Sequence, residues 1–324
     1  MKTKFLIQGP RDRDKVVSLF PFFIKLNELF PDAEVNVIID KGLEDVLELL
    51  PHKVRIYPLP ADLNTIVGIH KFAVNVTDVF NIDHFFDFSF DYKGALTGFC
   101  FRAKNRVGEN SGGKRLLYTK KMDIAASSAA LDSISINYLN TVLDKEMNDF
   151  FYKLPESEDN QAESNVHQLF ETEKPNFFLL KNTDKDFELW KEFLLLMESG
   201  IAVIWDMKNL SLWQEFKSDE NLKVELIIQG EVEGQSFLPE LIKKSEYVIT
   251  DDKSLAHACI FFEKRAFLFS EDSYTRIHSN YFSSVEDLII TEDNDVVEIF
   301  KDGKKKEIRV MDEVLDLIHD VMKL

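Results

Sequence analysis

Short apolar runs of strand composition alternate along this chain with longer stretches of helical composition, and polar turns separate the two. That alternation restricts the fold to a parallel sheet with helices on both faces, because parallel neighbours need a crossover and the crossover is the helix. Lys4-Phe5-Leu6-Ile7 reads as the first buried strand, and Gly9 to Asp14 as a polar turn. A helix is expected from Lys15 to Phe30, where Val16, Leu19, Phe20, Phe23, Ile24, Leu26 and Phe30 recur near helical spacing. Val35 to Ile39 is the next strand, Leu43 to Leu50 a helix, and Val54 to Tyr57 a third strand closed by Pro58 and Pro60. Phe85 to Phe90 follows as a strand, with a helix from Tyr92 to Arg102.

A helix from Leu131 to Phe151 and then an acidic, aperiodic tract mark a boundary. The expected organisation is a first domain over 1–153, a linker over 154–173 and a second domain over 174–324. The second half repeats the alternation. Asn176 to Leu180, Ala202 to Trp205, Val224 to Ile228, Tyr247 to Thr250, Ala266 to Phe269 and Asp287 to Ile290 are strands. Phe187 to Ser199, ended by Gly200, Phe237 to Lys244 and Ser254 to Phe261 are helices. Val296 to Val310 reads as a hairpin about Asp302-Gly303, and Met311 to Leu324 as a last helix with a core-facing stripe.

With 324 residues and 28 Phe, the chain can bury a core in each of two domains. Its formal charge of −18 opposes binding to nucleic acid, because phosphate would be repelled. The same charge opposes docking on an anionic membrane, except through one basic island between Arg102 and Lys121. Cys100 and Cys259 lie far apart in apolar runs, which suits core thiols rather than a disulfide or a metal cluster. The start is too short in apolar residues for a signal peptide, and no run of about twenty apolar residues occurs, so a soluble cytoplasmic protein is expected.

The stretch from Glu246 to Ser270 is the most informative for function. A strand, Tyr247 to Thr250, runs into Asp251-Asp252-Lys253-Ser254, then a helix carrying His257, then a second strand. Acids, a hydroxyl and a histidine thus stand where an open α/β sheet presents the carboxyl end of a strand to ligands. This order resembles the donor-binding signature of glycosyltransferase family 9, the ADP-heptose:lipopolysaccharide heptosyltransferases. That signature is an apolar strand, Asp-(Ser/Thr)-Gly-x-x-His, a small-residue helix and a Gly-x-Pro step. Asp252 and His257 match at the right separation, while Lys253 stands at the hydroxyl position, Ser254 and Glu263 at the glycines, and Arg265 at the proline.

Two further stretches are similar to the same family: Phe86 to Gly94, an apolar–Asp–apolar–x–apolar–Asp–x–x–Gly strand and turn, and Asn105-Arg106-Val107-Gly108. In the family, an Asp six residues before a helix proline is the proposed general base for the acceptor hydroxyl. Here the proline is Pro21 and the residue at that place is Lys15. A lysine cannot accept a proton near neutral pH, so Asp14 or Asp12 is the candidate catalytic carboxylate, unless both are turn acids and Asp14 caps the helix. In family terms the basic island flanks the acceptor, which makes Lys15, Arg102, Lys104, Arg106, Lys114 and Arg115 candidate acceptor-binding residues. A solvated loop is the alternative for that run. Ser111-Gly112-Gly113-Lys114 is not a phosphate-binding P-loop, because the spaced first glycine and the hydroxyl after the lysine are missing.

By resemblance, Thr183 and Lys181 or Lys185 hold the donor diphosphate, and Asp252, Lys253, Ser254 and His257 line the rest of the donor site. The resemblance implies an α/β protein of GT-B architecture, two Rossmann-like domains facing a central cleft. It further implies inverting, metal-independent transfer of a sugar, heptose by family inference, from a nucleotide-sugar to a glycan or lipopolysaccharide-core acceptor, with no cofactor. Contact with the inner membrane would be peripheral at most. The alternative is a degenerate, non-catalytic relative that binds a nucleotide or glycan or serves as an interaction partner; Lys15, Ser254, Glu263 and Arg265 point that way. A nucleotide-sugar epimerase would need a Gly-rich turn after the first strand, which Gln8-Gly9-Pro10-Arg11 does not supply.

Overall fold

The computed structural model of the protein describes residues 2–50, 52–76, 81–123, 131–143, 146–147, 177–180, 187–197, 200–204, 209–228, 237–245, 247–250, 252–262, 264–269, 288–290, 297–301 and 304–308. The chain divides into two compact units, one built mainly from Met1–Glu156 and the other from Ser157–Arg276 and Asn280–Leu324. The expected linker over 154–173 and the expected last helix lie outside the described residues.

Unit 1 holds a six-stranded sheet. Its strands are β1 (Lys4–Gln8), β2 (Glu34–Asp40), β3 (Arg55–Leu59), β4 (His84–Asp87), β5 (Asn105–Glu109) and β6 (Lys120–Met122), in the spatial order β3-β2-β1-β4-β5-β6 with every pairing parallel. Helices α1 (Arg13–Val17), α2 (Phe20–Leu29), α3 (Glu44–Leu47), α4 (Ile66–Asn75), α5 (Tyr92–Cys100) and α6 (Leu131–Asn140) accompany them. This is the doubly wound order, and it reverses direction between β1 and β4. Alternate residues of each strand serve opposite faces. Leu6, Ile38 and Phe85 pack with Phe72 of α4 and Ala95 of α5 on one side. Phe5 and Phe86 stack on the other, where Phe22 of α2 and Tyr138 of α6 meet Phe86 at ring-centroid distances of 5.6 and 5.8 Å.

Several segments depart from the sequence expectation for identifiable reasons. The helix expected over 15–30 is two helices, since Pro21 has no N–H for a carbonyl one turn back and instead stands in the first turn of α2. β3 runs through Pro58 because it is an edge strand paired only with β2, where a missing donor costs nothing. β4 stops at Asp87, three residues early: its carboxylate accepts from Ser89 N at 2.9 Å, and Phe90 takes a φ of 56°, which turns the chain out of the sheet. α6 ends at Asn140, whose amide exchanges two hydrogen bonds with the backbone of Met147, at 2.8 and 2.9 Å, rather than continuing to Phe151. α4 and β6 have no counterpart in the sequence reading. Helix packing is close enough at Gly98 of α5 that a Cβ there would overlap the ring of Phe85.

Unit 2 contains two three-stranded parallel sheets. One is β7 (Phe177–Leu180), β8 (Ile201–Ile204) and β9 (Glu225–Ile228); the other is β10 (Tyr247–Thr250), β11 (Arg265–Phe269) and β12 (Leu288–Ile290). β7 lies alongside β10, so the strands read β9-β8-β7-β10-β11-β12, the order of unit 1 over again. The helices are α7 (Phe187–Leu196), α8 (Leu210–Phe216), α9 (Phe237–Lys244) and α10 (Lys253–Phe261). Gly200, at a φ of 139°, makes the turn into β8 that a side chain would resist. Trp190 and Trp213 are buried, with Phe187 against Trp213 at 4.8 Å. The predicted hairpin is present as β13 (Val297–Lys301) paired antiparallel with β14 (Lys304–Ile308).

Candidate functional site

In unit 1 the turns after β1 and β4 meet where the strand order reverses. Arg11, in the first of these turns, donates from Nε to Asp91 at 2.6 Å and from Nη1 to Asp40 at 2.9 Å. Asp91 is also the N-cap of α5, accepting from Gly94 N at 2.7 Å. Burial alone would raise the pKa of Asp91, but the bonds from Arg11 and Gly94 outweigh it and hold the carboxylate below its usual range. Deeper in, Asp87 is fully buried, and burial pushes its pKa up to about 6 against the bonds it accepts from Ser89 and from the Tyr118 hydroxyl. Tyr138 donates to the Asp87 carbonyl at 2.8 Å, and burial beside Asp87 raises the pKa of both tyrosines. This edge therefore carries two carboxyl groups bridged by one guanidinium, a set suited to hydroxyl groups more than to phosphate.

The predicted catalytic acids stand where that first turn enters α1, Asp12 before the helix and Asp14 within it. Asp12 is exposed, and its Oδ1 accepts from Lys15 N at 3.3 Å while its carbonyl accepts from Val16 N at 3.1 Å. Asp12, rather than Asp14, is thus the acid at the cap of α1, because Asp14 lies inside that helix. Lys15 is exposed.

The basic island divides. Arg106 donates to the carbonyls of Leu117 and Ala103 at 2.7 and 2.6 Å and lies over the Phe99 ring. Lys114 is buried, bonded to the Phe90 carbonyl at 2.7 Å and ion-paired with Glu109. Both cations hold the fold together from within. Lys104 pairs with Asp83 at 2.7 Å, and Arg102 and Arg115 are exposed.

In unit 2, the corresponding reversal between β7 and β10 brings the end of β10 to the start of α10. Asp252 is buried, and its Oδ1 accepts from Ser254 N at 2.8 Å and Leu255 N at 3.1 Å, so it caps the helix. Thr250 Oγ1 in turn accepts from Asp252 N at 3.0 Å. Ser254 is 1 % exposed, and its Oγ has no hydrogen-bond partner. Lys253 and His257 belong to the first two turns of α10. Lys181, Thr183 and Lys185 lie outside the described residues, as do Asp251 and Glu263. Spacing in the sequence found the Asp252 turn; it missed Arg11, Asp40 and Asp91, whose partners are 29 and 80 positions apart. The one local signal was the pair of acids in the Phe86–Gly94 motif.

The same reversing order of parallel strands in each unit, with polar turns at the reversal, defines an α/β protein of the GT-B class, as expected from the sequence. Solved structures with this fold include family 9 glycosyltransferases and a UDP-GlcNAc 2-epimerase. The chain is similar to E. coli ADP-heptose lipopolysaccharide heptosyltransferase II at 14% identity and a TM-score of 0.63, covering 99% of this chain and 98% of that one. It is similar to a family 9 glycosyltransferase from Veillonella parvula at 13% identity and a TM-score of 0.62, covering 90% and 88%. A UDP-GlcNAc 2-epimerase from Neisseria meningitidis, bound to UDP-GlcNAc, shares the fold at 13% identity and a TM-score of 0.51, covering 100% and 92%. No protein-family profile matches the chain, and no curated protein matches it in sequence. Among the described residues, no helix is long and apolar enough to cross a membrane, and no cluster of His, Cys, Asp and Glu could hold a metal ion.

Proposed function

We propose that this protein is a glycosyltransferase that takes its sugar from a nucleotide-sugar held by unit 2 and passes it to a glycan-type acceptor at the polar edge of unit 1. The observation that carries this reading is the turn at the β10–α10 junction. There a buried Asp252 orders the first helical turn and leaves the Ser254 hydroxyl without a partner, in a fold whose solved examples include a heptosyltransferase with bound ADP. Heptose as the sugar, lipopolysaccharide core as the acceptor, inverting stereochemistry, independence from metal and a cytoplasmic location belong to the same proposal through the family resemblance. Asp12 or Asp14 would take the acceptor proton, and the Asp40–Arg11–Asp91 bridge would orient acceptor hydroxyls nearby.

One observation favours a second, non-catalytic reading. The family's base position holds Lys15, and the Asp12 carboxylate already accepts a hydrogen bond from the helix it caps.

A thermal-shift titration with ADP, UDP, GDP and their sugar conjugates tests the proposal, because a ligand that binds only the folded chain raises its stability by about 2.7 kcal/mol at a hundredfold excess over Kd. A saturable shift with one nucleotide-sugar supports it, and no shift with any contradicts it. With that donor in hand, release of nucleoside diphosphate that requires a glycan acceptor and falls at least about a hundredfold in Asp14→Asn or Asp12→Asn supports transfer. Binding without turnover supports the second reading, and conversion of the sugar without acceptor would indicate an epimerase.

A further inference from the structure

Among the described residues, all six large apolar side chains that unit 1 exposes belong to three neighbouring elements. They are Ile66 (59 %), Val67 (66 %) and Val74 (61 %) on α4, Tyr92 (48 %) and Phe99 (53 %) on α5, and Leu116 (78 %) on the 3₁₀ turn Gly113–Leu117. α4 packs on α5, and α5 on that turn. Their inner residues share one core cluster: Phe72 and Ala95 lie within it, and Leu117 packs against it. On a helical wheel, Ile66, Val67, His70, Lys71 and Val74 fall on one exposed face of α4, opposite the buried Ile69 and Phe72. Tyr92 and Phe99, with the half-buried Leu96 between them, form an outer stripe on α5. A face of this kind costs free energy in water and marks a contact surface.

Charge decides what covers it. None of the three elements contains an acid, in a chain with 57 acids and a net charge of −18. The exposed cations Lys71 and Arg115 lie on it, and Arg102 stands just beyond the end of α5. Among the described residues, the acids next to these elements in sequence include Asp91, paired with Arg11, Glu109, paired with Lys114, and Asp83, paired with Lys104; Asp62 is exposed just ahead of α4. Apolar side chains interspersed with cations and free of acids match the boundary between anionic lipid head groups and acyl chains. Screening within about 8 Å at physiological salt limits the opposition from acids elsewhere on the chain.

We propose that the outer face of α4, α5 and the Gly113–Leu117 turn docks on an anionic lipid bilayer, with Val67, Val74, Phe99 and Leu116 entering the interface and Lys71, Arg102 and Arg115 meeting lipid phosphates. The proposal needs neither the donor nor the acceptor reading. It limits the sequence expectation about membranes to one surface, and it assigns Arg102 and Arg115 to lipid instead of an acceptor sugar.

Flotation of the full chain with vesicles of phosphatidylcholine, and of phosphatidylcholine mixed equally with phosphatidylglycerol, tests it. The chain should float with the mixed vesicles and largely fail to float with phosphatidylcholine alone, and added salt should weaken but not abolish retention. The double variant Val67→Glu, Val74→Glu should lose about tenfold or more of the retention. Both positions are solvent-facing, and unchanged circular dichroism and melting would show that the variant is folded. Leu212→Glu, at an exposed apolar position of α8, should bind as the wild type does. Absence of wild-type binding to the mixed vesicles, or retention unchanged in the α4 variant, would overturn the proposal. So would a concentration-dependent dimer that the α4 variant dissolves without any vesicle binding, which would give the face to a second copy of the chain.

Discussion

His52 and Asp87 are both buried, and burial moves their proton affinities in opposite directions. His52 has no hydrogen-bond partner at either ring nitrogen, and its pKa falls to about 4. As pH drops below about 6.5 the unfolded chain protonates there first, so stability present at neutral pH is lost between about pH 6.5 and 4. Asp87 has the reverse sign. Its folded pKa of about 6 lies above the unfolded value, so its contribution is full below about pH 4 and is lost as pH rises through 6. Denaturant unfolding of His52→Leu across this range should lack the acid-side loss, a relative gain of roughly 3 kcal/mol between pH 6.5 and 4; curves parallel to the wild type would show that the imidazole does not carry it. Asp87→Asn should instead remove a loss on the neutral side. Neither role was legible in the sequence, where His52 follows a proline and Asp87 is one acid of a strand motif. Burial is set by partners such as Tyr118 and Tyr138, which are 31 and 51 positions from Asp87.

Elements were more legible where one face alone is apolar. α9 and the β13–β14 hairpin follow their patterns directly, and β10 follows from its uninterrupted apolar run. α4 escaped because its exposed face also carries Ile66, Val67 and Val74, which blurs the helical period. α2 shows the converse, with a period that continues through Pro21 although the backbone hydrogen bonds cannot. Two substitutions probe how these elements are held. Gly98→Ala should destabilise unit 1 by about 1–3 kcal/mol, since α5 must move off Phe85 to admit the methyl group; an unchanged denaturation midpoint would mean that the contact is not tight. Asp91→Ala removes the α5 cap and one carboxylate from Arg11, and a loss of about 1–2 kcal/mol is expected in the same assay. Asp91→Asn should restore most of the cap while leaving the Arg11 charge pair broken. A loss as large as that of alanine would assign the effect to the ion pair.

At the scale of the whole chain, the same strand order occurs once in each unit. The alternation of runs and turns dictated this much, since a parallel sheet has few ways to connect short strands through helices. The candidate site was legible only where its residues are neighbours in sequence, as at Thr250, Asp252 and Ser254. The Asp40–Arg11–Asp91 bridge needed the fold. In the function proposed here, the β10–α10 turn of unit 2 receives a nucleotide-sugar. Amide hydrogen exchange of the full chain, with and without each nucleotide-sugar at saturation, tests this most directly and requires no substitution. One donor should slow exchange of the amides from Asp252 through His257, while those of α4 are unchanged. If no donor slows exchange in that segment, or if protection is confined to unit 1, the β10–α10 turn is not the donor site.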